Sequence, residues 1–347
     1  MTAQCRTRHC AKGALFFLWF AATSPAAPVN DAGSDRTLVV LAAPSATDPY
    51  YRKLRKEILD FQTAFARQII GRDNVVILAD KRTVKELSSS LPDDVLLEAP
   101  MEDIWMRDFA PVRPEHPVLF RYSAAAQSGK PEDADHVQAA FVRFAQHHNL
   151  SFEQAPWILD GGNVVDNGID KAIVTDRFMS DNHLDKEQAV QILRVQLGVE
   201  NIAILPADPE DRLAHADGMV LFTDSNTVAI TRYGGVFQKS LERELQSAFP
   251  AVRIVEIEST FDDNAFDPNF GSAKGIYVNA TVTGNAIYLP LYGLETDGPA
   301  LAKIRASTPL DVIPIDAGKI GQMGGSVRCL STQMKGENAR RLIEAAR

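Results

Sequence analysis

The residues best equipped for chemistry fall at a loose common spacing. Asp108, Asp160, Asp217, Asn279 and Cys329 follow one another at intervals of 52, 57, 62 and 50 residues. His215 stands two positions before Asp217, and in a strand that alternation turns both side chains to one face, where they can meet the same ligand. Polar groups drawn from distant parts of a chain into one pocket can act together on one small ligand. Each residue also has a purely structural explanation. Asp108 can pair with Arg107 or cap a turn, and Asp160, before Gly161 and Gly162, can form one. Asn279 can make a buried hydrogen bond or, with Thr281, form a glycosylation sequon. Cys329 can be a small buried hydrophobe.

The elements that would carry these residues repeat. DGMVLFT (217–223) and TVAITRY (227–233) read as strands, FQKSLERELQSAF (237–249) as a helix and VRIVEI (252–257) as a strand. The same ββαβ order recurs after it, in strands at 275–282 and 285–292, a helix near 297–306 and a strand at 310–315. Before it come strands at 157–165 and 171–178, a helix at 185–197 and a strand at 201–206. A less regular unit starts at WMRDFAPV (105–112), with a strand at 117–123 and a helix at 135–148. The fifth is shared between the chain ends, SVRCLST (326–332) supplying a first strand to 37–43, a helix at 50–67 and a strand at 74–80. Repeats of this kind bury their faces against neighbours. Five joined end to end predict a closed α/β propeller whose first strands line the centre, with a doubly wound sheet as the alternative architecture.

Composition limits what such a site can meet. The first residues read as a secretory signal: Arg6, Arg8 and Lys12, then the apolar run ALFFLWFAA (14–22), then small residues through Ala27. The expected organisation is a signal at 1–27, a short flexible segment at 28–36 and a single domain at 37–347, exported to a periplasmic or extracellular space. The apolar run is too short to span a bilayer, so no stable membrane insertion is expected after cleavage. Cleavage after Ala27 takes 27 residues from 347, leaving 320, and removes three cations and no anions, moving the net charge from −9 to −12. That charge argues against a nucleic-acid partner and favours cationic ligands weakly. Processing also removes Cys5 and Cys10, leaving Cys329 without an intramolecular partner. An unpaired thiol in an exported protein calls for an explanation.

EDIWMRDFAP (102–111), LDGGNVVDNG (159–168), AHADGMV (214–220), YVNATV (277–282) and GGSVRCLSTQ (324–333) stand in an order and spacing that resemble the agmatine deiminase and bacterial-type peptidylarginine deiminase family. The resemblance implies the five-bladed ββαβ propeller of the penteins. It also implies Cys329 as nucleophile, His215 as general acid and base, and Asp108 and Asp217 as the carboxylates that hold a substrate guanidinium. Asp160, Asn279, Trp105, Arg107 and Arg328 are the implied substrate-binding residues. A guanidinium is planar and cationic, and its N–H groups pair with carboxylates in a fork. Thiolate attack on its central carbon, with histidine protonating the departing ammonia and then activating water, leaves a ureido group. No step requires a metal or an organic cofactor.

Three positions depart from the family pattern. Asp160 replaces a usual Glu, Arg328 replaces the His that precedes the nucleophile in the agmatine branch, and Val165 replaces a frequent His. The export signal favours peptidyl or free arginine as substrate, giving citrulline and ammonia, over agmatine, the alternative. Arg121 and Arg328 are candidate partners for an arginine carboxylate. A non-catalytic binding protein for cationic peptides and a cysteine hydrolase of amides are the readings from other classes. The acidic, aromatic segment 259–275 is expected to cover the pocket, with Asp262, Asp263 or Phe270 near the substrate. The sequence leaves the oligomeric state open.

Overall fold

The strands Leu38–Ala42 and Asn74–Ala79 are runs of branched and aliphatic residues, and every residue in both is buried. They pair in parallel, from Leu38 opposite Asn74 to Ala42 opposite Leu78. Successive side chains leave opposite faces of a strand, so Val39, Leu41, Val75 and Ile77 enter one hydrophobic core while Leu38, Val40, Val76 and Leu78 enter another. Parallel neighbours need a crossover. The helix Arg55–Ile69 supplies it, burying Ile58, Leu59, Phe61, Phe65, Ala66 and Ile69 along one stripe. The computed structural model describes residues 28–347 apart from 128, 263 and 268–270. The expected secretory signal at 1–27 therefore lies outside the described residues.

Three further sheets follow the same plan, a first strand antiparallel to a second and the second parallel to a third. They are Val165–Asp166 with Lys171–Thr175 and Asn201–Leu205, Val220–Asp224 with Thr227–Thr231 and Arg253–Ile257, and Thr281–Val282 with Ala286–Leu291 and Asp311–Asp316. The crossovers are the helices Lys186–Leu197, Gly235–Ala248 and Asp297–Arg305. The first of these shows how locally the sequence sets its bounds. Asp185 and Gln188 form a reciprocal capping box, Ala189, Leu193 and Leu197 recur every fourth residue on the buried face, and Gly198 ends the helix at φ 60°.

The remaining two sheets differ in detail. Ser331–Met334 runs antiparallel to Leu38–Ala42, so the two ends of the described chain share one sheet, to which Leu96–Glu98 adds a fourth strand that the sequence pattern did not predict. Val118–Arg121 pairs in parallel with Glu153–Ile158 across the helix Pro131–His147, and a bridge from Val112 to Val118 stands where the other sheets have a first strand.

The expected first strands need correction. WMRDFAPV folds as the short helix Met106–Phe109, and strand begins only at Val165, Val220, Thr281 and Ser331 in the other four stretches. Trp157, expected to open a unit, belongs to the closing strand of the sheet before it. Burial from all sides is the reason. Met106, Arg107, Asp108 and Phe109 are all buried, and a segment with no solvent face carries no period by which strand and turn can be told apart. The residues of interest thus sit in turns that enter the first strands.

Ile77 is fully buried at the centre of the parallel pair. Ile77→Ala is expected to cost about 2–5 kcal/mol, seen as a lower urea midpoint at unchanged slope. A midpoint equal to wild type would contradict this account of the core.

Candidate active site

Five turns deliver six side chains to one place. Asp108 lies in the helical turn 106–109, whose Arg107 N–H donates to the Cys329 carbonyl at 3.1 Å. Asp160 precedes the turn Gly161–Asn163, and His215 precedes the turn Ala216–Gly218 that carries Asp217. His215 and Asp217 therefore meet by turn geometry, and the strand alternation expected to align them does not exist here. The imidazole lies between two carboxylates, with Nε2 3.1 Å from Asp160 Oδ2 and Nδ1 3.7 Å from Asp108 Oδ1. Cys329 Sγ is 3.8 Å from Asp217 Oδ2 and accepts from Asn279 Nδ2 at 3.1 Å.

Asn279 organises the turn that holds the thiol. Its Oδ1 accepts from Ser326 N, Ser326 Oγ and Cys329 N at 3.2, 3.0 and 3.4 Å. With 3 % of its surface exposed, it is no acceptor for a glycan. Glycine is required twice by close approach. A Cβ at Gly162 would lie 2.5 Å from His215 Nδ1 and 2.7 Å from Asp108 Oδ1, and one at Gly325 would lie 2.7 Å from the Trp105 ring and 3.1 Å from Cys329 Sγ.

Burial governs the charges. It raises Asp108 to about 7, against the pull of His215 and with the help of Asp160. Burial alone would lower His215, but Asp108 and Asp160 more than offset it and hold the ring protonated up to about 9. Burial also pushes the Cys329 thiol well above its ordinary value, and the carboxylates of Asp217 and Asp108 push it further. These groups therefore favour a neutral thiol. A cation placed among these groups reverses that balance by favouring the thiolate. Asp108 Oδ1 is buried and has no hydrogen-bond partner, which leaves an acceptor for a ligand N–H.

A cavity of about 310 Å³ opens onto Cys329, Asp108, Trp105 and Gly325. Its walls carry Asp48, Glu102, Asp103, Asp133 and Asp267. Among the described residues the one Lys or Arg lining it is Lys130, whose Nζ lies 3.7 Å from Asp133 Oδ2. The segment 259–275 reaches this cavity through Phe266 and Asp267, while Asp262 pairs with Lys274 and Asp263 and Phe270 lie outside the described residues.

Several implied substrate contacts are placed elsewhere. Asp160 does not line the cavity: its oxygens accept from Ser123 N and Ser123 Oγ, both at 2.6 Å, and face Arg177 at 3.7 Å and His215. It holds the imidazole. Arg107 is buried and donates to Gln333 at 3.2 Å, and burial, together with the neighbouring Arg328, lowers it to about 9 in spite of Asp217. Arg328 donates to the Val164 carbonyl at 2.7 Å, puts Nε 3.5 Å from Asp217 Oδ2, and lines a different cavity. Arg121 is exposed on its strand. None of these three arginines lines the cavity over Cys329, so none stands ready there for a substrate carboxylate.

The sequence reading missed Ser123 and Arg177, which fix Asp160, and Tyr51, whose hydroxyl donates to Asp103 at 2.6 Å in the cavity wall. No local motif marks the first two. Asp103 lies inside the EDIWMRDFAP stretch, which is the one signal that could have found it.

Gly162→Ala tests the packing at the imidazole. The added methyl must displace His215 or Asp108, and a shift of about 1 Å is expected to cost about 100-fold in kcat while circular dichroism stays native. Activity within twofold of wild type would contradict the tight fit.

Comparison with known proteins gives the family. The family model for Porphyromonas-type peptidyl-arginine deiminases matches residues 32–334. A Vibrio parahaemolyticus protein assigned as an agmatine deiminase is 23% identical over 341 residues, covering 85% of this chain and 93% of its own. The C. jejuni agmatine deiminase superposes with a TM-score of 0.71 at 18% identity, over 87% of this chain and 94% of its own. The Enterococcus faecalis agmatine deiminase gives 0.69 at 16% identity, over 88% and 95%. The fold is that of the pentein superfamily, and the chain belongs to the Porphyromonas-type peptidyl-arginine deiminase family, hydrolases of amidine C–N bonds.

Proposed function

We propose that this protein hydrolyses the guanidino group of a substrate whose far end is also cationic, with agmatine as the substrate of choice, giving N-carbamoylputrescine and ammonia. The observation that carries this reading is the cavity wall, where, among the described residues, five carboxylates stand against a single lysine. An ammonium at the far end of the substrate is favoured there and a carboxylate is repelled. Arginine, favoured by the export signal, brings a carboxylate to that wall. Solved structures of agmatine deiminases support the same choice, including a cysteine-to-serine variant of the C. jejuni enzyme with substrate bound.

In the proposed reaction the guanidinium is gripped by Asp108, whose Oδ1 faces His215 but accepts no hydrogen bond, and by Asp217 beside Cys329. Its charge lowers the thiol pKa, and the thiol, beside a His215 that is already protonated, gives up its proton to solvent. The thiolate adds to the guanidino carbon, a C–N bond breaks, and protonated His215 gives its proton to the departing ammonia. Neutral His215 then takes a proton from water as it attacks the thiouronium carbon. The C–S bond breaks, releasing the ureido product and the thiolate. Asp160 keeps the imidazole oriented and stabilises its charged form.

The five sheets are read as blades of a propeller. The turns before their first strands supply one site, and pairing between the two ends of the described chain would close the ring. Export is proposed from the sequence of residues 1–27, and loss of the basic and apolar residues 6–22 in the mass spectrum of protein purified from the source cells would test it.

Purified protein should be offered agmatine, free arginine, an arginine amide and a peptide ending in arginine, with ammonia and ureido product both assayed. Agmatine is expected to lead in kcat/KM, and Asp108→Asn to lose at least about 100-fold. A preference for the C-terminal arginine peptide would overturn the substrate assignment, and full activity in Asp108→Asn would overturn the grip. The pH profile is a separate check. Asp108 gains charge as pH rises through about 7, and His215 loses its proton as pH rises through about 9. kcat/KM should therefore climb through the first and fall beyond the second, and a profile flat from pH 6 to 10 contradicts these assignments.

A further inference from the structure

A second cavity, of about 330 Å³, is lined by Arg113, Arg328 and Lys335. It shares Arg328 alone with the machinery around the thiol, through the 3.5 Å approach of Nε to Asp217. Arg113 and Arg328 are 3 % and 6 % exposed, yet both guanidinium groups are underused. Nε and Nη1 of Arg113 and Nε of Arg328 have no hydrogen-bond partner. The one bond from the Arg113 side chain is a 3.5 Å contact to the Ile169 carbonyl, and its Nη1 stands 3.6 Å from Asp166 Oδ1. Arg113 also holds a left-handed backbone at φ 58°, a conformation a non-glycine residue adopts at a cost.

The acids around this cavity are, by contrast, engaged. Asp166 accepts from the Gly168 N–H at 2.9 Å. Glu115 pairs with Lys335 at 2.6 Å. Asp224 accepts from Asn226 N and Thr227 Oγ1 at 2.8 and 2.9 Å. Among the described residues lining it, the buried side-chain atoms without a hydrogen-bond partner are therefore guanidinium N–H groups, the donors that grip carboxylate and phosphate oxygens in a fork, and the Thr37 hydroxyl, which can also donate. Arg107, buried behind Arg328, adds to the crowding of positive charge.

We propose that this second cavity binds a small multivalent anion carrying phosphate or carboxylate groups, held by Arg113 and Arg328 with Lys335 at the rim. The assignment stands apart from the deiminase reading, because it concerns binding in a cavity that Cys329 does not line. Arg328 is nevertheless the residue next to Cys329, so an occupant would compete with Asp217 for the same guanidinium.

The test is isothermal titration of the full chain as Cys329→Ala, with inorganic phosphate and succinate as probes and sodium chloride at matched ionic strength as control. Saturable binding of phosphate or succinate is expected, and the better probe tells phosphate from carboxylate as the preferred group. Arg113→Gln should weaken it by at least about tenfold, as loss of a charged donor implies. Lys335→Gln, at a more exposed position, should weaken it severalfold and decides the matter if the Arg113 variant does not fold. Heats indistinguishable from chloride for both probes up to roughly 10 mM, or equal affinity in the variants that fold, would overturn the proposal.

Discussion

The structure turns on the burial of His215 between two carboxylates. An ion taken out of water is expensive unless partners replace its hydration, and here the partners come from remote parts of the chain, Asp108 on one side and Asp160 on the other. Asp160 is in turn fixed by Ser123 and Arg177. The turns at 106–109, 161–163 and 216–218 serve this arrangement, with Gly162 stripped of a side chain where imidazole and carboxylate pass close. The sheets behind them are conventional hydrophobic layers whose strands fix where each turn ends.

The same burial leaves the site incomplete without a ligand. A neutral thiol faces the carboxylate of Asp217, and Asp108 keeps an oxygen with no donor. A guanidinium supplies what is lacking on both counts: N–H donors for the carboxylates and positive charge for the thiolate. In the proposed reaction, substrate and nucleophile are thus matched by charge as well as by position. The acidic wall extends that match to the far end of the ligand, and Trp105 contributes an apolar surface between the two.

Much of this was legible in the sequence, because strands and crossover helices carry distinct periods. The helix Lys186–Leu197 shows its cap, its stripe and its terminal glycine in the residues alone. The order of the motifs also placed Cys329, His215, Asp108 and Asp217 together. The turns before the first strands were not legible, since a segment such as 106–109, buried on every side, has no solvent face to set a period. Nor was the direction of the arginines. Arg328 stands beside Cys329 in the chain, but the turn that presents the thiol to one cavity sends its neighbour toward another. The motif of Asp160 implies a substrate carboxylate, and no local pattern gives its contacts with Ser123, Arg177 and His215.

The central claim is that Cys329 adds covalently to the guanidino carbon of its substrate. The most direct measurement is intact-protein and peptide mass spectrometry of enzyme quenched in acid during steady-state turnover of agmatine. The account predicts a fraction of enzyme heavier by the mass of agmatine less ammonia, with the addition on Cys329 and absent once substrate is exhausted. Sustained turnover by Cys329→Ala, or an adduct found on a residue other than Cys329, would contradict it.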